Sequence, residues 1–333
     1  MEGVAVSAAA ANGRPEVSVV VPSHDRPLRL LWLLNALEQQ TLDRDRWEVI
    51  VCHDSRGPET EQLLRTHPLT EAGVLRHETL PPSSAPPGAN RNVAWRLARA
   101  PLVAFTDDDC RPPRDWLERA LDAAGRHPGA IVQGKTQPDP DEMGIAIAAP
   151  YPRTQRITPP VPWAQCCNIV YPRDLLERAN GFDETLMTGE DCDLAMRLRA
   201  DGVEYVGAPE VLTFHAVETG SLWHRLRGLW RWRHLPYTVK VHPELREHFP
   251  LWVFWKETHV WLPFALAAPG LSRRNRLYAL LALPYVLHAM PFHGAGPRAR
   301  IRSLLEFPGK FAIDLTEFVA LAWGSVKNRT FFL

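Results

Sequence analysis

Cysteine is scarce and unpatterned in this chain. Cys52, Cys110, Cys166, Cys167 and Cys192 are an odd set with no CxxC pair, which makes a poor disulfide framework and fits a reducing compartment such as the cytoplasm. Net charge is absent as well: 38 basic residues meet 38 acidic ones, against a protein that coats nucleic acid. The stretch through Arg14 lacks a basic region followed by an apolar run, so residues 1–15 read as a disordered tail and not as a signal peptide. No internal repeat is found. An uninterrupted membrane-spanning run is also missing. Leu277–Pro297 has no charged residue, but Pro284, Pro291, His288, His293 and two glycines break it. That pattern suits a shallow insertion or a buried hydrophobic hairpin better than a full span.

What is present is ample apolar material, 45% of 333 residues, enough for one large α/β domain and an appendage. Charge is unevenly placed. From Gly220 onward there are 16 Lys and Arg against 6 Asp and Glu, leaving 22 against 32 in the front part. Seven of the twelve tryptophans lie between Trp223 and Trp323. An acidic front can hold a cation, and a basic, Trp-rich back can face anionic lipid.

Short β-branched runs alternate with helical spacing through the front part. Val17–Pro22, Trp47–Cys52, Val74–Leu80, Pro101–Thr106 and Ala130–Lys135 read as strands. Arg26–Gln40, Pro58–Thr66, Asn90–Arg99 and Asp115–Arg126 read as helices between them. This order predicts a mostly parallel sheet flanked by helices, with ligands beyond the carboxyl ends of the strands. Pro81–Gly88 reads as a loop, and the Pro-rich Asp139–Pro162 as a linker or active-site loop. Strand-like Gln165–Tyr171, helix Arg173–Ala179, helix Glu190–Ala200 and strands near Val203–Val206 and Val211–Phe214 complete the domain.

Several polar groups fall just after these runs. Asp107-Asp108-Asp109 closes a strand. Three adjacent carboxylates raise one another's pKa unless a cation sits among them, and hard oxygens suit Mg²⁺ or Mn²⁺ with phosphate completing the shell; the plain alternative is a solvated acidic turn. Glu190-Asp191 opens a helix after Gly189, either as dipole compensation worth about 0.3–1 kcal/mol per acid or as a general base for a hydroxyl; Asp193 can share the former role. His215 ends a strand-like run and can be a core histidine or a metal ligand. Asp54 can accept from a base imide or cap a turn. Gly88 permits close backbone approach, and Arg91 can face a diphosphate or be an ordinary surface arginine.

The order of these motifs over Val17–Val217 resembles glycosyltransferase family 2, enzymes of the nucleotide-diphospho-sugar transferase superfamily with the GT-A fold, a Rossmann-like sheet. The resemblance implies that Pro22, Ser23 and Arg26 form the first nucleotide loop. It implies that Asp54 reads the base, although His53-Asp54-Ser55-Arg56 departs from the family's usual Asp-Asp-Gly-Ser. Arg91 corresponds to the family's Arg-Asn pair. Asp107 and Asp109 correspond to the DxD motif, with Asp108 between them in the donor site. Trp163 and Asn168 belong to the acceptor-side strand, where Cys166-Cys167 replaces the usual small residues. Asp191 corresponds to the catalytic base with Glu190 beside it, and His215 to a histidine that joins Asp107 and Asp109 on the metal in some members.

The expectation is therefore an inverting, metal-dependent transfer of a sugar to a hydroxyl. The acceptor would be a small molecule, a lipid-linked glycan or a cell-envelope polysaccharide. The domains expected are 16–218 for catalysis, with a nucleotide half near 16–136 and an acceptor half near 160–218, and a helical C-terminal region over 219–333. In that region Ser221–His234 reads as a helix for core packing or for a membrane interface. Arg273-Arg274-Arg276 and Arg298-Arg300-Arg302 can hold anionic head groups, which suggests peripheral placement on the cytoplasmic membrane face. No nucleic-acid partner is expected, and an oligomer stays open. Two rival readings remain: a nucleotidyltransferase acting on a sugar phosphate, disfavoured because Val17–Arg29 has neither Gly nor Lys, and a non-catalytic nucleotide-sugar-binding scaffold.

Overall fold

The computed structural model describes residues 14–82 and 86–333. Most of the expected N-terminal tail, and the centre of the Pro/Ser loop, lie outside them. Two compact units emerge. The first holds the described residues up to Ala146 together with Arg153–Glu218; the second holds Ile147–Pro152 and Thr219–Leu333.

The first unit is an eight-stranded sheet. Its strands are β1 (Val17–Ser23), β2 (Trp47–His53), β3 (Leu75–Thr79), β4 (Leu102–Phe105), β5 (Cys110–Arg111), β6 (Ile131–Pro138), β7 (Ile169–Pro172) and β8 (Tyr205–His215). They run in the order β3-β2-β1-β4-β7-β6-β8-β5. β3, β2, β1 and β4 are mutually parallel, as are β6 and β8. β7 pairs antiparallel with both β4 and β6, and β5 antiparallel with β8. The mixed sheet with flanking helices is the GT-A arrangement expected from the sequence.

The continuous apolar runs follow from burial on both faces. Val17, Val19, Val21, Val49 and Val51 point to one core with Leu30, Leu33, Leu34 and Leu37 of α1 (Pro27–Glu38). Val20, Ile50, Cys52 and Phe105 point to the opposite core, with Ala94 and Trp95 of α2 (Pro87–Arg96) and Leu194 and Leu198 of α3 (Glu190–Ala200). The period of two along each strand assigns its residues to the two helix layers. One carboxylate is buried among them: Glu48 accepts from Ser18 Oγ (2.7 Å), Arg76 Nη2 (2.8 Å), and both the backbone N–H (2.7 Å) and Nε (2.8 Å) of Arg99.

Two strand expectations are corrected. The acceptor-side strand begins at Ile169, not Gln165. The two runs near Val203–Val206 and Val211–Phe214 form one strand, β8. Its pairing with β6 steps between Gly134, opposite Ala208, and Lys135, opposite Leu212. This bulge absorbs Pro209, which cannot donate to a regular ladder. Gly134 is obligatory here, because an added Cβ would lie 2.3 Å from Asn168 Nδ2 and 2.4 Å from the Val211 carbonyl.

The second unit is helical. Ser221 caps Leu222–Leu229, where a longer helix was expected; the chain then tightens into a 3-10 turn over Trp230–His234. Leu277–Pro297 is divided between a 3-10 segment (Arg276–Ala282), helix Leu283–Ala289 and a non-helical connection. Glu257–Leu271 and the 32-residue helix Pro297–Asn328 pack with these around Leu262, Tyr285 and Ala289. Among the described residues no helix is long and apolar enough to cross a membrane.

Candidate functional site

The carboxyl ends of β1, β2 and β4 bring the polar residues of the first unit together. Ser23 ends β1 and donates to Asp108 Oδ2 at 2.8 Å. Asp54 follows β2 and is buried; His24 Nδ1 lies 2.8 Å from its Oδ1, and Asn90 Nδ2 donates to the same oxygen at 3.2 Å. Pro22, half-buried, fixes the backbone just before this turn.

Two arginines organise the acids. Arg91 is held on α2 with its side chain 5% exposed. It donates through Nη2 to Asp107 Oδ1 (2.9 Å) and through Nη1 to Glu190 Oε1 (2.8 Å) and Asp191 Oδ1 (3.0 Å). Arg26 donates to Asp109 Oδ2 (2.6 Å), Asp108 Oδ1 (3.4 Å) and Glu218 Oε1 (2.6 Å). The triad after β4 and the acidic start of α3 therefore meet across one guanidinium. Gly88 packs closely beneath the segment before α3: an added Cβ would lie 3.1 Å from Phe182 Cβ, and 3.6 Å from Glu190 Cγ.

The local electrostatics follow from burial. Burial pushes Asp108 up to about 7, reinforced by the charge of Asp109 and opposed by Arg26 and Ser23. Glu190 is likewise pushed up to about 7 by burial and by Asp191, against Arg91. Asp191 is raised by burial, against Arg91 and the Cys166 N–H that it accepts at 3.0 Å. A carboxylate with a raised pKa is a stronger base than an exposed one. For Arg91, burial would lower the pKa, but Asp191, Asp107 and Glu190 outweigh it and keep the guanidinium charged.

The expected metal triad is only partly assembled. His215 Nε2 lies 3.4 Å from Asp109 Oδ1. Its Nδ1 lies 2.9 Å from the Ala216 carbonyl, which can only accept, so Nδ1 carries a hydrogen and Nε2 is the nitrogen turned to Asp109. This carboxylate–imidazole pair fits a divalent cation. Asp107 Oδ1 accepts from Arg91 instead. Among the described residues, only His259, Asp314 and Glu317 in the second unit set three ligand atoms within 4.8 Å of one another. There Lys256 bonds both carboxylates and Lys310 bonds Asp314, so lysines already neutralise the acids.

The acceptor-side expectations fare differently. Trp163 is half-buried in the segment before β7. The side chain of Asn168 is consumed by the sheet: Nδ2 donates to the carbonyls of Lys135 (2.9 Å) and Val211 (2.7 Å), and Oδ1 accepts from Trp116 Nε1 (2.9 Å). It bridges the β6/β8 bulge and has no amide hydrogen left for an acceptor. Asp193 pairs with Arg197 one turn along α3. Sequence reasoning missed Glu218, for which no motif gave a signal. It left the roles of His24 and Asn90 unassigned, although both stand within the strings that carry the nucleotide loop and the Arg-Asn pair.

Comparison with known proteins agrees with this geometry. Residues 18–178 match the family model described as Glycosyl transferase family 2. Validoxylamine A glucosyltransferase of Streptomyces hygroscopicus subsp. jinggangensis is 26% identical over 57% of this chain and 52% of its own length. Pre-mycofactocin glycosyltransferase of Mycobacterium tuberculosis is 28% identical over 60% of this chain and 42% of its own. The chain thus spans about half the length of the curated relatives it matches. Among solved structures, a mannosyltransferase from Pyrobaculum calidifontis in complex with GDP-Man and Mn²⁺ has a TM-score of 0.59 at 22% identity, over 95% of this chain and 87% of that one. The 1–349 fragment of S. aureus TarS in complex with UDP-GlcNAc has a TM-score of 0.54 at 17% identity, over 96% of this chain and 93% of the fragment. These likenesses establish the fold.

Proposed function

We propose that this chain, whose residues 18–178 match the glycosyltransferase family 2 model, transfers a sugar from a nucleotide-diphospho-sugar to an acceptor hydroxyl with inversion. The observation that carries the reading is the Arg91 bridge, which joins Asp107 of the triad to Glu190 and Asp191 of α3 within one cluster. A relative named as a glucosyltransferase supports sugar transfer, and fold neighbours solved with GDP-Man or UDP-GlcNAc support a diphospho-sugar donor.

Asp54, steadied by Asn90 and His24, would accept a hydrogen bond from the nucleotide base. Pro22, Ser23 and Arg26 would line the nucleotide, and Arg26 would exchange its bonds to Asp108 and Asp109 as the donor enters. Asp109 and His215, with Asp107 nearby in sequence, would hold Mg²⁺ or Mn²⁺, which supplies electrostatic stabilisation of the departing diphosphate. Arg91 is fixed by three carboxylates and adds positive charge without reorganising. Asp191 would take the proton of the acceptor hydroxyl. Its neighbour Glu190 shares Arg91 and shapes the field around it. Trp163 offers an aromatic face on the acceptor side. Lipid-linked or cell-envelope glycans suit an acceptor met at a membrane.

The test is Asp191→Asn in the full chain. Transfer should fall by about 10²–10⁴-fold, while the donor still raises the melting temperature. Near wild-type turnover would remove Asp191 from the role of base. Across a panel of nucleotide-sugars, Asp109→Ala should abolish any extra thermal stabilisation gained with Mn²⁺; an unchanged metal effect would reassign the cation site.

A further inference from the structure

The segment Thr258–Leu305 contains no Asp or Glu and six arginines. It lies wholly within the second unit. Its side chains are sorted by direction. Leu262, Tyr285 and Ala289 point inward to a small core with Phe307 and Phe311. Phe264, Leu277, Leu280, Leu287 and Phe292 point outward, with Leu287 69% and Phe292 85% exposed; Leu305, at the segment's end, is 75% exposed. Large apolar groups gathered on an exposed surface mark a site of interaction with a partner or a membrane. The arginines interleave with them. Arg302 is engaged by Glu306 and by the carbonyls of Ile147 and Ala149. Arg273, Arg274, Arg276, Arg298 and Arg300 are exposed and have no ion-pair partner among the described residues.

We infer that this acid-free segment docks onto an anionic lipid bilayer. Charge complementarity selects the occupant. A protein partner binding an apolar face does not require that every carboxylate be missing over 48 residues, whereas an anionic surface repels each one. The helices of this segment are too short and too interrupted to cross: Glu257–Leu271 contains Pro263 and Pro269, and Leu283–Ala289 has seven residues. The exposed apolar groups therefore enter only the interfacial layer, with the guanidinium groups at the level of the phosphates. Hydrophobic insertion and charge act together, the combination that makes peripheral binding lasting. The inference does not depend on the chemistry of the first unit.

The experiment is co-sedimentation of the full chain with vesicles of phosphatidylcholine alone or mixed with phosphatidylglycerol, at low and high salt. Binding should require the anionic lipid and weaken as salt rises. The triple variant Arg273→Gln/Arg274→Gln/Arg276→Gln should lower the partition coefficient on the order of 100-fold, from about five-fold per arginine. The double variant Leu287→Ser/Phe292→Ser should lower it about ten-fold or more on the same vesicles. Circular dichroism and donor-induced thermal shifts, run on each variant, separate loss of lipid binding from loss of the fold or of the donor site. Equal binding to neutral and anionic vesicles, no binding to either, or a segment protected by self-association in sedimentation velocity would each overturn the inference.

Discussion

The two units treat their side chains in opposite ways. The first brings charge inside and pairs it: Glu48, Asp54, Arg91, Asp108, Asp109 and Glu190 are all buried, and each has a named partner. The second pushes apolar groups outside. Among the described residues, 26 large hydrophobic side chains are left exposed, four in the first unit and 22 in the second. Buried ion pairs contribute little net stability and are kept where geometry matters; exposed apolar groups contribute none until something covers them. The contrast separates a unit whose interior is shaped for chemistry from one whose exterior is shaped for contact.

The largest expected effect comes from removing the shared partner in the first unit. Arg91→Met leaves Asp107, Glu190 and Asp191 without their common cation. Unfolding free energy should fall by about 3–5 kcal/mol, read by denaturant titration of the full chain. A neutral result would mean that the three carboxylates rearrange freely, and the contrast between the units would weaken. A paired truncation sharpens it. Leu34→Ala, wholly buried under the sheet, should cost about 2–5 kcal/mol. Leu305→Ser should change stability by no more than about 0.5 kcal/mol. Equal costs would show that Leu305 is covered within the chain.

The acid limb of the stability profile gives one more way to probe the first unit. Burial alone would raise the Glu48 carboxyl, but hydrogen bonds from Ser18, the Arg99 N–H and Arg76 overcome it and hold the folded pKa below the usual range. The unfolded chain then binds the proton more tightly. The stabilisation is complete above the ordinary carboxylate pKa and is lost as pH falls through the folded value. Glu48→Gln should cost about 1.5–3 kcal/mol at neutral pH and flatten the acid limb of the stability profile. A parallel acid limb in wild type and variant would show that other carboxylates carry it.

Much of the first unit was legible in its sequence, because a strand buried on both faces must be apolar throughout. Val17–Val21 and Trp47–Cys52 announce themselves in this way. The acids after them were legible because function places polar groups at strand ends. Pairing direction was not. Nothing in Ile169–Pro172 tells that β7 runs against both neighbours, since a buried antiparallel strand has the same composition as a parallel one. The single strand Tyr205–His215 looked like two because Pro209 breaks the run, and only the bulge opposite Gly134 reconciles them. Asn168 was placed on the acceptor side by resemblance alone, because an amide in a strand gives no sign of what it bonds. In the second unit the arginine clusters were legible. Helix Pro297–Asn328 was not, since Pro308 interrupts its pattern.

The step in pairing opposite Gly134 also sets how this domain can vary. Elsewhere in the sheet, losing or gaining one residue inverts every side chain that follows. Residues 209–211 are already out of step with β6, so changes of length there have somewhere to go. A bulge that takes up such a change leaves Leu212–His215 paired with Lys135–Pro138 as before, so His215 keeps its place beside Asp109. The spacing of imidazole and carboxylate is thereby insulated from the length of the bulge.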